Sequence, residues 1–219
     1  MMRATLSRLL DAVKKAKESS RESKFKQSVE MVVNITGVDL TKPQNRFSEV
    51  VELPNDLGRK KRKILVIASG NLALEASRTS GVARVLQREE LEALVGRKKE
   101  AKKIASEYDF VLVEPSLMAL AARALGAAMG PRGKTPIPIP PSSDIAKLVK
   151  RYSNSVQLNL RKSPQVACLV GLEEDPDEKI AENAETVLNR IVEKLEKKQK
   201  NVASVYIKTT RGKPVKIEL

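Results

Sequence analysis

The sequence predicts an α/β protein of two domains: a discontinuous α+β two-layer domain, and a Rossmann-like parallel α/β domain inserted into it. In the middle of the chain, short and continuously apolar segments alternate with helical segments, which is typical of a parallel sheet covered on both faces. The flanking parts instead contain strands of alternating apolar and polar residues, and the N-terminal part alone is too small to bury a core. We therefore assign residues 1–66 and 157–219 to one domain, and residues 67–156 to the inserted domain.

The elements of the flanking domain follow from hydrophobic periodicity. Apolar residues at helical spacing predict a helix over residues 5–19. A second helix is predicted from Pro176 to Lys200, where Asp175, Pro176 and Glu178 fit the N-cap, N1 and N3 positions of a capping box better than a cation site. Period-2 alternation predicts the strands, which are residues 25–35, 47–53, 156–160, 165–169, 202–210 and 215–219.

The inserted domain is predicted as repeated strand–helix units. After the last of them, Ser143 can cap a helix that runs to Arg151. The elements predicted before it are a strand over 64–68, a short helix to Arg78, a strand over 82–86, a single charged helix over 89–108, a strand over 109–113 and an alanine-rich helix from Ser116 to about Gly126.

The charge of the chain indicates a polyanionic partner. Its 219 residues include 41 Lys and Arg against 27 Asp and Glu, which gives a net charge of +14 and a pI of about 9.9. A protein this basic usually binds phosphates and releases their counterions. There are three Phe, three Tyr and no Trp, too few for the clustered stacking platform of a single-strand binder. We therefore expect contacts with the shape and backbone of folded RNA.

Several function classes are excluded by composition. The chain has no His and a single cysteine, Cys168, whose neighbours are apolar, as expected in a buried strand. We therefore expect no imidazole or CxxC metal site, no internal disulfide and no cofactor. The sequence also lacks an apolar segment long enough to span a membrane, and it lacks the pattern of a signal peptide. The expected location is the cytosol.

Two short motifs allow competing interpretations. Residues 128–135 approach a P-loop, but Ala128 replaces its first Gly, a helix precedes the segment, and four prolines follow within 136–141. A phosphate-binding loop must follow a strand and open a helix, so we predict no nucleotide hydrolysis. The basic segment Arg59–Lys63 fits either a solvated turn or a phosphate contact.

Three segments together resemble one family. Lys24–Glu30 resembles its K-F-x-x-[TS]-V-E strand, Met129–Gly133 its L-G-P-R-G loop, and Ser204–Gly212 its S-V-Y-[VI]-x-T-T-M-G strand and turn. The family is the ribosomal protein L-one family, whose members form the mobile stalk of the large ribosomal subunit. The likeness covers the whole chain, and the proline-rich segment after the loop makes it archaeal in type.

The resemblance implies a function and a set of partners. The flanking domain is expected to bind the stalk helices of large-subunit rRNA, and the protein to assist release of deacylated tRNA from the exit site. It is also expected to repress its own mRNA through a mimic of the rRNA site, and to be a cytoplasmic monomer when off the ribosome. A non-ribosomal translational repressor of the same fold is the alternative, and an enzyme with a Rossmann-like nucleotide site is the least favoured.

The resemblance also implies the RNA-contacting residues. Ser28 and Ser204 can exchange hydrogen bonds with 2′-OH groups, and Gly212 lets backbone approach backbone. Glu30 cannot bind phosphate and would accept from a base, whereas Lys162 suits a phosphate. Arg211 stands where the family has Met, so a packing contact there could have become ionic. The complete set is Phe25, Ser28, Glu30, Lys162, Ser204, Thr210, Arg211 and Gly212.

Overall fold

The computed structural model describes residues 2–58, 62–140 and 143–218. Residue contacts divide the chain into a composite unit, Met1–Lys60 with Ser155–Leu219, and an inserted unit, Lys61–Asn154. Both boundaries lie a few residues before the predicted ones. Each predicted boundary would divide a strand, whereas the observed boundaries leave both strands whole. The strand Ile64–Ile67 pairs within the inserted unit, and the strand Ser155–Leu160 pairs within the composite unit.

The described helices and strands alternate along much of the chain. In chain order they are α1 (Met2–Glu18), β1 (Ser28–Ile35), β2 (Phe47–Glu52), β3 (Ile64–Ile67), α2 (Gly70–Arg78), β4 (Val82–Leu86), α3 (Arg88–Leu94), α4 (Lys98–Glu107), β5 (Phe110–Val113), α5 (Met118–Met129), β6 (Ile137–Pro138), α6 (Ile145–Ser153), β7 (Ser155–Leu160), β8 (Gln165–Leu172), α7 (Asp177–Lys194), β9 (Val202–Thr209) and β10 (Val215–Ile217).

The composite unit is built on an antiparallel sheet with strand order β10-β9-β1-β8. Helices α1 and α7 pack on one face of it, where Leu9, Met31 and Ile207 belong to a continuous apolar core. Strands β2 and β7 form a separate antiparallel pair that contributes to the same core. Because β1 is the central strand and its odd-numbered residues enter the core, its even-numbered residues occupy the opposite face of the sheet.

The inserted unit is built on a parallel sheet with strand order β4-β3-β5-β6. Alternate residues of β3 and β5, such as Leu65 and Val111, pack against α3, α4 and α5, while α2 and α6 also contact β3. This confirms the predicted fold class. Strand β6 was not predicted, because its two residues lie in a proline-rich segment that gives no period-2 signal.

The structure corrects three predicted helices. The charged helix over 89–108 is two helices, because Gly96 adopts φ +87°, a left-handed conformation that ends α3. The helix predicted over 176–200 ends at Lys194 and is followed by a 3-10 turn over Lys198–Asn201. The alanine-rich helix passes through Gly126 and ends at Met129.

Two predicted caps are also wrong. Asp175 does not cap α7, since its carboxylate turns back to accept from the Leu172 amide at 2.7 Å, and Pro176 occupies the N-cap without a side-chain bond. At α6, Asp144 rather than Ser143 is the cap, and it accepts from the amides of Ala146 and Lys147 at 2.8 and 3.3 Å. Both errors arise where neighbouring residues can make equivalent side-chain bonds.

Candidate nucleic-acid interface

The candidate interface is the sheet face of the composite unit that lies opposite α1 and α7. We call it the open face and define it by half-buried side chains of β1 and β9. In the register of these strands, Glu30 lies opposite Lys208, Val32 opposite Tyr206 and Asn34 opposite Ser204. The face therefore combines a carboxylate, an ammonium group, a phenol, an amide and a hydroxyl, all placed by two rigid strands.

Thr210 closes one end of the open face. Its Oγ1 accepts a hydrogen bond from the Ser28 amide at 3.1 Å and donates to the Ser28 carbonyl at 3.4 Å. Ser28 itself is only 6% exposed, so little of its hydroxyl is left for an external ligand. The Thr210 side chain thus continues the strand pairing beyond Thr209 and fixes where the following turn leaves the sheet.

A buried glutamine holds that turn in place. Gln27 is 1% exposed, and its Nε2 donates to Ser20 Oγ and to the Arg21 carbonyl, each at 2.7 Å. Its Oε1 accepts from the Arg211 amide at 2.9 Å. Because both ends of this amide are bonded, Gln27 ties the segment after α1 to the turn that carries Arg211.

Gly212 is required by packing inside the unit. A Cβ at this position would lie 2.3 Å from Thr209 Oγ1 and 3.3 Å from the Ala16 carbonyl at the end of α1. The Gly212 amide also donates to the Thr209 carbonyl at 3.3 Å. The glycine therefore permits a close approach between the turn and α1, which is a structural role beyond the approach to RNA that the resemblance implied.

Phe25 lies just before β1, outside the strand that was predicted to include it. Its side chain is 53% exposed, and its carbonyl accepts from Ser23 Oγ at 2.6 Å. Strand pairing begins only at Ser28. The exposed ring follows Lys24 and precedes Lys26, which pairs with Glu174 at 2.5 Å, so an apolar surface is framed by cations at this end of the sheet.

Ser204 and Lys162, two more of the predicted residues, lie at the opposite end of the open face. Ser204 Oγ accepts from Asn34 Nδ2 at 2.9 Å. Exposed Lys162 is in the turn between β7 and β8, where the Pro164 carbonyl accepts from the Ile35 amide at 2.8 Å. Asn34 is six positions after Ser28 along β1, which spans roughly 20 Å of extended strand. The predicted set is thus a stripe with Glu30 near its middle rather than one cluster.

The open face also contains residues that the sequence reasoning missed. Tyr206 and Lys208 are two and four residues after Ser204 on β9, so their side chains lie on the same face of the sheet. Lys216 of β10 lies opposite Tyr206. Their alternation with buried Val205 and Ile207 was a signal that could have identified them. Gln27 had a signal too, because it is a polar residue at a core-facing position of the alternating segment.

The P-loop-like segment of the inserted unit serves a structural purpose. Lys134 Nζ donates to the carbonyls of Ala105 and Tyr108 at the end of α4, at 2.9 and 2.6 Å. Burial lowers the pKa of Lys134 below its ordinary value. The side chain that would bind phosphate in a true P-loop is therefore used to bond a helix end.

The crevice at the carboxyl ends of β3 and β5 contains a carboxylate. Glu114 accepts from the amide and the hydroxyl of Ser69, both at 2.8 Å, beside the first residues of α2. A hydrogen bond from Ser116 is the main reason that the pKa of Glu114 is lowered. In open α/β sheets a nucleotide phosphate takes this position, so an ionised carboxylate here repels such a ligand.

The basic segment Arg59–Lys63 is only partly covered by the structure, because residues 59–61 lie outside the described residues. Arg62 lies 3.7 Å from Asp109, and Lys63 lies 3.8 Å from Glu107. The Lys63 amide also donates to Asp109 at 3.0 Å. These two cations are therefore already paired within the inserted unit.

Comparison with known proteins decides the family. The model of the ribosomal protein L1p/L10e family matches residues 13–213. The chain is 44% identical over 210 residues to the large ribosomal subunit protein uL1 of Thermofilum pendens, covering 95% of this chain and 92% of that protein. It is 45% identical over 211 residues to the protein of the same name from Methanospirillum hungatei, covering 96% and 97%.

The chain belongs to the ribosomal protein L1p/L10e family. This confirms the resemblance stated from the three sequence motifs, including its archaeal type. As a member of this family the chain is a structural protein of translation and not an enzyme. Among the residues that the structure describes, no helix has both the length and the apolar character that a membrane span requires.

Proposed function

We propose that the chain is a structural component of the large ribosomal subunit, located in the cytoplasm, and that its composite unit binds the stalk helices of the rRNA through the open face. One observation carries this proposal. Two motif segments far apart in sequence, Lys24–Glu30 and Ser204–Gly212, lie side by side on β1, β9 and the adjoining turn. The name of the archaeal relatives supports the placement on the large subunit.

The chemistry of the open face suits a folded RNA. Ser204 and Asn34 can exchange hydrogen bonds with 2′-OH groups and base edges. Glu30 accepts from an amino or imino group, because phosphate would repel it. Exposed Phe25 offers an aromatic surface, while Arg211 and Lys162 provide charge for phosphates at the two ends of the stripe. We assign Ser28 to positioning Thr210, since its own side chain is buried.

The same RNA-binding activity supports two further roles. By occupying the stalk, the protein assists the release of deacylated tRNA from the exit site. By recognising a stalk-like fold in its own mRNA, it represses its own synthesis. Both roles depend on selective binding by the open face, so loss of that selectivity is expected to remove both.

The first experiment compares Thr210→Val with Thr135→Val, a change of an exposed threonine in the inserted unit. Thr210→Val removes the bonds to Ser28 and leaves that amide unpaired, which costs about 1–3 kcal/mol. We expect a stalk rRNA fragment to bind more weakly by about tenfold or more, with much smaller loss on a random duplex. Equal losses on both RNAs would show that Thr210 acts only on backbone binding.

A second experiment separates the ribosomal role from a free repressor of the same fold. The tagged protein is expected to sediment with large subunits in high-salt gradients, because its selective contacts survive when electrostatic attraction is screened. A protein that binds its mRNA fragment but leaves the subunits under these conditions would favour the alternative of a dedicated repressor.

We further propose that the two units are independent domains. Deleting residues 61–154 and joining Lys60 to Ser155 with a short Gly-Ser linker is expected to leave a folded protein that binds stalk rRNA. The composite unit keeps its whole core and open face, and a short linker adds little closure entropy. Circular dichroism tests folding, and an unfolded product would contradict the two-domain assignment. If the product folds but does not distinguish stalk rRNA from other RNA, recognition requires the inserted unit.

A further inference from the structure

Helix α4 of the inserted unit has a basic face for which the proposed rRNA site gives no use. Lys98, Lys99, Lys102 and Lys103 are all exposed. The first and third are four residues apart, as are the second and fourth, so all four project from one side of the helix. The opposite side, with Ala101, Ile104 and Ala105, is buried against the unit's core.

Two features of this helix are unfavourable in the absence of an anionic partner. Like charges four residues apart destabilise a helix by about 0.2–0.5 kcal/mol per pair. Lys98 and Lys99 also occupy the first turn, where the helix dipole disfavours cations. Within the described part of the chain, none of the four lysines has an ion pair, whereas Glu100 pairs with Arg97 at 3.3 Å and Glu107 with Lys63 at 3.8 Å.

The motif loop after α5 adds a guanidinium group to this face. Arg132 Nε donates to Ser106 Oγ at 3.2 Å, and Ser106 is four residues after Lys102 on α4. Arg132 also donates to the Ala128 carbonyl at 2.8 Å. Because the bonds of Lys134 fasten the loop to the end of α4, Arg132 is held in line with the lysines.

An acidic flank limits the face on one side. Lys103 borders a hollow of about 380 Å³ whose charged lining also includes three carboxylates and one guanidinium group, those of Glu90, Glu100, Glu107 and Arg84. Arg84 pairs with Glu90 at 3.1 Å, so the carboxylates of Glu100 and Glu107 keep this side acidic. A polyanion is therefore expected to approach over Lys98, Lys99, Lys102 and Arg132, away from these carboxylates. The charge is arranged as a ridge along the helix with a defined edge, which suits a linear array of phosphates.

We propose that the α4 ridge, formed by Lys98, Lys99, Lys102 and Arg132, is a second RNA-binding surface that contacts the sugar–phosphate backbone of an RNA helix. Long, solvated ammonium side chains neutralise phosphates without reading bases, so binding here is independent of sequence and strongly dependent on salt. The ridge belongs to the inserted unit and the open face to the composite unit, and the function of the ridge does not require the stalk-binding proposal to hold.

The test compares two triple variants of the full chain with equal changes in charge. The test variant is Lys98→Gln, Lys99→Gln, Lys102→Gln. The control is Arg78→Gln, Lys147→Gln, Lys150→Gln, on exposed sites of α2 and α6. Fluorescence anisotropy measures binding of a plain RNA duplex and of deacylated tRNA over a range of salt concentrations, with and without saturating stalk rRNA fragment.

We expect the test variant to bind duplex and tRNA at least about tenfold more weakly at moderate salt, and its log–log salt slope to fall by about 2–3. The control is expected to change both values much less. If the test variant binds only one of the two RNAs more weakly, the ridge is still an RNA-binding surface, and the result identifies which RNA it contacts. Arg132→Gln is expected to lower the slope by about one further contact.

Equal losses in the two triple variants would overturn the proposal, since net charge alone would explain them. Unchanged RNA binding in the test variant would also overturn it. If that variant loses binding to poly-glutamate instead, the partner is an acidic protein segment. The titrations without stalk rRNA still measure duplex and tRNA binding by the ridge if the protein does not bind the stalk fragment.

Discussion

The open face and the α4 ridge, the two surfaces proposed to bind RNA, present their polar groups in different ways. On the open face, Asn34 and Ser204 are bonded to each other and project from neighbouring strands of one sheet. On the ridge, lysines project from a solvated helix with no partner among the described residues. The first arrangement fixes directions of donors and acceptors, and the second fixes only the location of positive charge.

This difference has an energetic consequence. A lysine side chain loses up to about 2 kcal/mol of rotamer freedom when it is ordered, so a ridge of lysines gains by remaining mobile near phosphates. A bonded hydroxyl or amide on a strand has little freedom left to lose, and a mismatched ligand leaves it unpaired. We therefore expect selectivity from the composite unit and salt-dependent attraction from the inserted unit.

The largest effect is expected when the packing beneath the open face is disturbed. Gly212→Ala places a Cβ against Thr209 Oγ1 and the end of α1, so we expect a loss of about 1–3 kcal/mol in the unfolding free energy and weaker stalk rRNA binding. Gly126→Ala in α5 is the matched control. Its Cβ meets nothing within 4 Å, so the helix should gain up to about 1 kcal/mol.

Urea denaturation of both glycine variants tests this prediction. If Gly212→Ala is as stable as the wild type and binds stalk rRNA normally, the turn accommodates a Cβ at position 212 despite the close approach to Ala16. The open face would then not depend on tight packing between the turn and α1.

A smaller effect is expected from Lys134→Met in the inserted unit. The change removes two hydrogen bonds to carbonyls at the end of α4, so we expect a loss of about 1–2 kcal/mol of stability. Stalk rRNA affinity should remain within about twofold, and Lys150→Met, at an exposed site, should change neither property. ATP hydrolysis that vanishes in the Lys134 variant would instead indicate a working P-loop.

The sequence predicted the fold where periodicity was strong. The alternation along β1 and β9, and the apolar segments of β3 and β5, identified both sheets and their different character. It predicted local ends less well. Nothing in the periodicity of residues 89–108 distinguishes one helix from two, because the break depends on the positive φ of a single glycine, Gly96.

The site residues were predicted through resemblance, and their roles required the structure. Sequence alone could not show that Ser28 is buried, or that Gly212 is constrained by Ala16. The polar character of Gln27 at a core-facing position marked it as unusual, but its partners could not be predicted, since Ser20 and Arg211 come from opposite ends of the chain. Such roles depend on contacts between distant segments, which one sequence does not reveal.

The smallest effect is expected at Lys162, which tests whether the contrast between the two units holds within the composite unit itself. Lys162 is exposed in the turn after β7, and no ion pair of the described residues involves it. Although it belongs to the composite unit, for which we expect selective binding, it should behave like a ridge lysine.

We expect Lys162→Ala to lower the log–log salt slope by roughly 0.7–0.9, the value for one phosphate contact, and to weaken stalk and unrelated RNAs equally. Binding titrations at several salt concentrations give the slope, with Lys179→Ala, at an exposed position of α7, as the control. An unchanged slope would remove Lys162 from the phosphate contacts. A loss confined to stalk rRNA would show that a lysine on this turn reads a feature of that RNA, and selectivity would then extend beyond the bonded groups of the open face.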